Sequence, residues 1–303
     1  MITDRERLAA LGGRLRAYRM GTGLSPEKIA AQIGVSRAAM YRYEAGAPIR
    51  VDKLARIAEV LGVSLTTLLG AGSEHTASAV TFFSRLQQLE EQSDEITVLF
   101  GPVSYLLTTD RFDHALPRVL QESIPEGAPN RARSIAEIGT IMDILGQRKA
   151  AWRRRRMTVT SIVSAAEIAQ FLQSGFVGKP DLSPRVQAER RDIARAEVMH
   201  IIAMIRNPSP GIRIGVIEDS MPGGSFQLIR KGGGKMLAQS PFRLGSYANI
   251  RLGVAQLTAL EEPVRLHEQV VESLWKNALK QDTGANRLSG LLPENPSFSN
   301  RYT

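Results

Sequence analysis

The sequence predicts two units: an all-α N-terminal domain of five short helices, and a C-terminal α/β domain built on a mixed sheet. Three observations predict this. Within residues 1–72 apolar side chains recur at steps of three and four between strong capping residues. From Ile96 onward, strand-like runs alternate with amphipathic helical stripes. The chain has 303 residues, 43% hydrophobic and 23% charged, which is too long for one small module and has the balance of an ordinary globular protein. The boundaries read as 1–72 for the first unit, 73–92 for a linker and connecting helix, 93–282 for the α/β unit, and 283–303 for a loosely ordered tail.

Charge is unevenly placed. Residues 1–72 carry eleven basic and six acidic side chains, a net of +5, whereas the remaining 231 residues carry a net of only +4. That density predicts a polyanionic partner for the first unit. The longest apolar stretch without charge, Ile96–Thr109, has fourteen residues, against about twenty needed to cross a bilayer, so no membrane role is expected. The opening MITDRERLAA lacks the apolar core of a secretory signal, and a cytoplasmic location is expected. Zero cysteines exclude disulfides and thiolate metal sites.

Leu8, Leu11, Leu15 and Tyr18 share one face of a first helix over Asp4–Met20, ended by Gly21-Thr22-Gly23. Ser25 followed by Pro26 reads as an N-cap with proline in the first turn, opening a helix through Ile29, Ala30 and Ile33 that Gly34 ends. Ser36 caps a third helix, Arg37–Glu44, with Met40 inward. Asp52 opens a fourth with Leu54, Ile57, Ala58 and Leu61 inward, and Leu65, Leu68 and Leu69 close the bundle.

Two short helices joined by the tight Gly34-Val35-Ser36 turn form a helix-turn-helix, whose second helix enters the major groove by its N-terminal half. The segments LSPEKIAAQIGVSRAAMYRYEAG and DKLARIAEVLGVSLTTLL resemble the phage-repressor-like, xenobiotic-response-element family of bacterial transcription factors, over nearly all of residues 14–69. That resemblance implies binding of a palindromic double-stranded DNA operator as a homodimer. The family often opens the second helix with a glutamine. Here Pro26-Glu27 stands there, so that glutamine's contacts do not carry over.

The residues expected at the DNA are Ser36, Arg37, Ala38, Tyr41 and Arg42, with Ser25, Arg50 and Lys53 flanking. Arginine takes guanine bidentately and alanine touches a thymine methyl, whereas Arg50 and Lys53 suit phosphates, which position without specifying. The competing reading has Arg42 paired with a carboxylate of its own domain, Tyr43 in the core, and Arg50 and Lys53 on a solvated face.

Gly70–Ser78 is small and polar and reads as linker. Val80, Phe83, Leu86 and Leu89 then stripe a helix read as docking on the following domain, the alternative being a pairing with its twin in a dimer, for which two heptads alone make a weak coiled coil. Further stripes run through Ile135, Ile138, Met142 and Leu145, through Ile168, Phe171 and Leu172, over Pro184–Arg206, and over Glu262–Leu279. Met157–Val163 is a strand. Ile212-Arg213-Ile214-Gly215-Val216 and Ile250-Arg251-Leu252-Gly253-Val254 form a repeat. As two strands, each offers an arginine beside a glycine gap, so Arg213 and Arg251 side by side make a cationic notch for an anionic effector. The alternative pairs each arginine with a carboxylate and fills each gap with a helix.

Residues 155–280 loosely resemble a phospholipase-D-like domain. That chemistry needs a lysine two residues after a histidine. His75, His114, His200 and His267 are instead followed at that distance by Ala77, Leu116, Ile202 and Gln269, so no catalytic residue carries over. His267-Glu268 lacks a second histidine at Val271 for a zinc helix, and Lys231–Lys235 lacks the outer residues of a phosphate loop and reads as a hairpin turn. No catalytic residue, metal ligand or cofactor is predicted. Arg148, Lys149 and Arg153–Arg156 form the densest basic cluster, suited to an anion or to a solvated helix end. The reading is a DNA-binding regulator, not an enzyme, whose second domain dimerises and senses a small molecule of unidentified structure. The alternatives are an enzyme with a fused DNA-binding module and a constitutive antitoxin-like DNA-binding protein.

Overall fold

A computed structural model describes residues 3–155, 157–218 and 224–293. Thr3 caps the first helix, α1 (Asp4–Thr22), and Glu6 accepts in return from the Thr3 N–H at 2.8 Å. The helix runs two residues past its expected stop, to a C-cap at Gly23 (φ 73°). α2 (Pro26–Ile33), α3 (Arg37–Glu44), α4 (Val51–Leu61) and α5 (Leu65–Leu69) follow. Leu15, Ile29, Ile33, Met40, Ile57 and Leu68 are wholly buried among them, each contributing about 1.5–3 kcal/mol of transfer free energy. A Cβ on Gly12 would lie 2.6 Å from the carbonyl oxygens of Tyr43 and Glu44, so α1 crosses the end of α3 at backbone contact.

The segment expected as linker contains a strand. Ser73–Thr76 form β1, antiparallel to β7 (Ala255–Thr258) at one edge of a seven-stranded sheet. Its polar sequence hides the assignment because Glu74 is buried in a pair with Arg85 of α6 (Ala79–Glu90), through two hydrogen bonds of 2.7 and 2.8 Å. α6 docks through Phe82, Phe83 and Leu86, which are buried in the main core.

The remaining strands are β2 (Glu95–Leu99), β3 (Thr158–Ser164), β4 (Ile212–Ile217), β5 (Ser225–Lys231) and β6 (Gly234–Ser240), in the order β1-β7-β6-β5-β2-β3-β4. β2, β3 and β4 are parallel and the other pairings antiparallel. Parallel neighbours need long crossovers. α7 (Asp110–Glu122) and α8 (Arg131–Arg155) supply the first, and α9 (Ala165–Ser174) and α10 (Pro184–Arg206) the second. These helices and α6 share the main core on one face, while α11 (Glu261–Asn277) covers the other with Val264, Val271, Leu274 and Trp275 against Leu99, Ile162, Ile217 and Phe226. β5 and β6 form the expected hairpin, with Gly232 and Gly233 at φ 52° and 94° in its two-residue turn.

Two further expectations are corrected. The tail reading fails for its first part: α12 (Gln281–Ser289) is a helix whose Ala285 and Leu288 are fully buried, and Leu279 exchanges backbone hydrogen bonds with Val216 of β4. Residues 294–303 lie outside the described residues. The basic cluster of α8 is divided between the core and the surface. Arg148 donates twice to Glu90 at 2.8 Å within the core, and the buried Lys149 donates to the half-buried Asp113 at 2.6 Å. Arg153 meets Asp110 at the surface, Arg154 and Arg155 are exposed, and Arg156 is not among the described residues. No helix among the described residues is long and apolar enough to cross a membrane.

Candidate nucleic-acid interface

The α2–α3 turn is built from three residues with different tasks. Gly34 takes φ 66°, a conformation that favours glycine, Val35 tucks against the core, and the Ser36 hydroxyl accepts from the Ala39 N–H at 3.1 Å. With Ala39 and Met40 buried, α3 is fixed in rotation, and Ser36, Arg37, Ala38, Tyr41 and Arg42 all face solvent. These are the five residues expected on the recognition helix, and they share one exposed surface.

Arg37 forms an ion pair with Glu27 of α2 at 2.6 Å and lies over the Tyr41 ring, 5.4 Å from its centroid. The Tyr41 hydroxyl is 3.5 Å from Glu27 as well. Glu27 is thus the hub of an exposed triad, and its carboxyl is held below the usual range, first by its own backbone N–H, then by Ser25, with Arg37 adding. Sequence reasoning noticed Pro26-Glu27 only as a departure from the resembling family. No local signal in the sequence gives its partners, because the Glu27 carboxylate reaches Arg37 only through the angle between α2 and α3.

Arg42 is exposed and has no carboxylate partner among the described residues, because Glu44 is taken by Arg19, which donates to it from two nitrogens. Tyr43 is half-buried against the core. Ser25 is a cap, accepting from the Lys28 N–H at 3.3 Å. Lys53 donates to the Ile33 carbonyl at 3.0 Å, closing the C-terminal end of α2, and Arg50 pairs with Asp52 at 3.0 Å on the surface. Arginines 37, 42 and 50 therefore supply exposed cations around a helix of groove-compatible size, the chemistry that base-edge and phosphate contacts require.

The notch expected from Arg213 and Arg251 does not form. Arg213 on β4 pairs with Glu95 and donates to the Thr160 hydroxyl at 3.0 Å, while the space above Gly215 is filled by Trp275 of α11. Residues 250–254 are not a strand but a loop. Asn249 accepts from the Arg251 and Leu252 N–H groups, and Gly253 faces Pro241. The local pattern is the same in both copies, but only the first has strand neighbours to pair with. His267 accordingly serves packing, with its ring against Phe226 and its nitrogens 2.7 Å from the Pro263 carbonyl and 3.1 Å from Gln239.

Residues 10–69 match the family model of a helix-turn-helix domain, a class of module that binds DNA. The match spans the first unit only. Among solved structures, the chain is similar to TrmBL2, described as an archaeal chromatin protein with a novel mode of DNA binding, at 11% identity and a TM-score of 0.31, over 88% of this chain and 92% of that one. No curated protein matches the chain.

Proposed function

We propose that the protein is a sequence-specific transcriptional regulator of the phage-repressor-like kind, which binds a palindromic operator as a homodimer and changes its affinity with a small effector. The observation that carries the DNA-reading part is the exposed Arg37, Tyr41 and Arg42 surface of α3, set by the buried Met40 and the Ser36 cap. One such helix reads only a few base pairs, so useful affinity calls for two copies about one helical turn apart. The α/β unit serves dimerisation and sensing, and no catalytic step is assigned to it. Four of its buried cations, Arg85, Arg148, Lys149 and Arg190, are each paired with a neighbouring carboxylate.

The test is an operator selected from a random duplex library with the full-length protein, followed by footprinting and light scattering. The expected result is a two-fold symmetric footprint and a dimer at micromolar concentration. A monomer protecting a single half-site overturns the dimeric reading, and failure to enrich any sequence overturns the regulator.

A further inference from the structure

A cleft of about 270 Å³ lies between the two units. The last turn of α1 contributes Gly21, the start of α6 Ser78, α8 contributes Arg133, Ser134 and Glu137, and the loop after β6 contributes Arg251. Arg133 is already divided between two partners: it donates to Glu137 at 2.8 Å and to the Gly21 carbonyl at 3.1 Å, the latter a direct bond from α8 to the DNA-reading unit. Arg251 is half-buried and its guanidinium has no ion-pair partner among the described residues.

We propose that this cleft is the effector site and that its ligand is a compact polyanion, carrying two or more phosphate or carboxylate groups, held between Arg133 and Arg251. The inference rests on the effector-response reading above and gives it a place and a ligand class. The volume lies just below the roughly 300–1,000 Å³ of ordinary ligand pockets, which selects a compact molecule. Guanidinium forks match phosphate and carboxylate oxygens. A larger cavity of 340 Å³ beyond β2 and β3 has one arginine, Arg243, and one carboxylate, Glu167, in its lining and no residue of 1–72, so it has neither the net charge nor the route to α3.

The route from the cleft is short. A polyanion that draws Arg133 toward Arg251 competes with both Glu137 and the Gly21 carbonyl, and so favours an arrangement of the two units in which that bond is absent. A ligand shifts a population only through such differential contact. The Arg133 bond to Gly21 is the contact the two arrangements differ in.

The experiment titrates the full-length protein with inorganic pyrophosphate and, separately, with citrate by calorimetry, and repeats operator binding by fluorescence anisotropy with each probe at matched ionic strength. At least one probe is expected to bind with one-to-one stoichiometry and to change operator affinity. The two arms separate a phosphate from a carboxylate ligand. Arg251→Met and Arg133→Met should each lower probe affinity tenfold or more, while Arg243→Met leaves it unchanged and controls for general loss of positive charge. Circular dichroism checks the fold, and Arg251→Lys, which keeps the charge, should bind more tightly than Arg251→Met. Binding that survives both methionine variants places the ligand elsewhere and overturns the cleft while leaving the effector reading intact. Binding that is lost in the variants but never alters operator affinity keeps the site and overturns the effector reading. No binding of either probe at millimolar concentration overturns the proposal.

Discussion

Glu27 holds Arg37 and Tyr41, two of the side chains that α3 offers to solvent, and this makes single-residue behaviour at the interface predictable. Arg37→Ala and Tyr41→Ala remove groups that support no buried packing, so both variants should fold normally while losing operator affinity, by about 1–3 kcal/mol for a lost bidentate base contact. Anisotropy on the selected operator checks this, and unchanged affinity in both would displace the recognition helix from its groove. Glu27→Gln acts in the other direction. It deletes an exposed negative charge beside α3 and frees Arg37 to meet a phosphate, so affinity for unrelated duplex should rise and the slope of log affinity against log salt should steepen by about 0.9, one further phosphate contact. Preference for the operator over unrelated duplex should shrink. The arginines and tyrosine were legible in the sequence because caps and one buried methionine fix the helix rotation. Glu27 was not, since its role depends on the angle between two helices.

At the scale of elements, legibility followed the strength of local signals. α2 and α3 announce themselves by Ser25, Pro26, Gly34 and Ser36, whose effects act within a turn of the chain. β1 carries no such signal: Ser73–Thr76 is polar because it is an edge strand whose one inward acid, Glu74, is neutralised by Arg85 from another element. α12 likewise looks like a tail, yet Gly284, Ala285 and Leu288 place its small face inward against the core. Arg148 reads as surface charge and is instead the partner of Glu90, which also accepts from Gln227 at 2.8 Å and so ties α6, α8 and β5 together. Glu90→Gln leaves that guanidinium buried without its counter-charge and should cost about 3–5 kcal/mol, read as a drop in urea midpoint. Alkaline pH probes the joint between α1 and β1. Burial, and then Glu74, push the Tyr18 hydroxyl above its ordinary value of 10.0. The folded state keeps a proton that the unfolded chain loses, so this contribution is intact below about pH 10 and is lost as pH rises further. Tyr18→Phe should flatten the decline in urea midpoint between pH 9 and 11.

Across the whole molecule the two units are joined side by side as well as in sequence. Gln88 donates to the Gly13 carbonyl at 2.9 Å, Thr81 donates to the Ala17 carbonyl at 3.4 Å, and Arg133 reaches Gly21. Gly21 lies so close to α6 that a Cβ there would fall 1.8 Å from the Thr81 hydroxyl oxygen. Gly21→Val should therefore force α1 from α6 while leaving both cores intact, and calorimetry should show the N-terminal unit melting as a separate transition below the main one. A single unchanged transition would mean that this contact does not hold the units together. The short passage from α5 to β1 has a consequence of its own for the operator. Only Gly70, Ala71 and Gly72 intervene, a reach of about 10 Å, and Arg14 fastens the departure point by donating to the Leu68 and Leu69 carbonyls at 2.6 and 2.9 Å. A reading head mounted this way is a caliper rather than a ball on a string: in the dimer proposed above, the gap between the two α3 helices would be dictated by the sheet domains. One base pair inserted between half-sites turns them by about a tenth of a helical turn. A tethered reader would absorb that turn, whereas this one should lose much of its affinity, and a full added turn should not restore it.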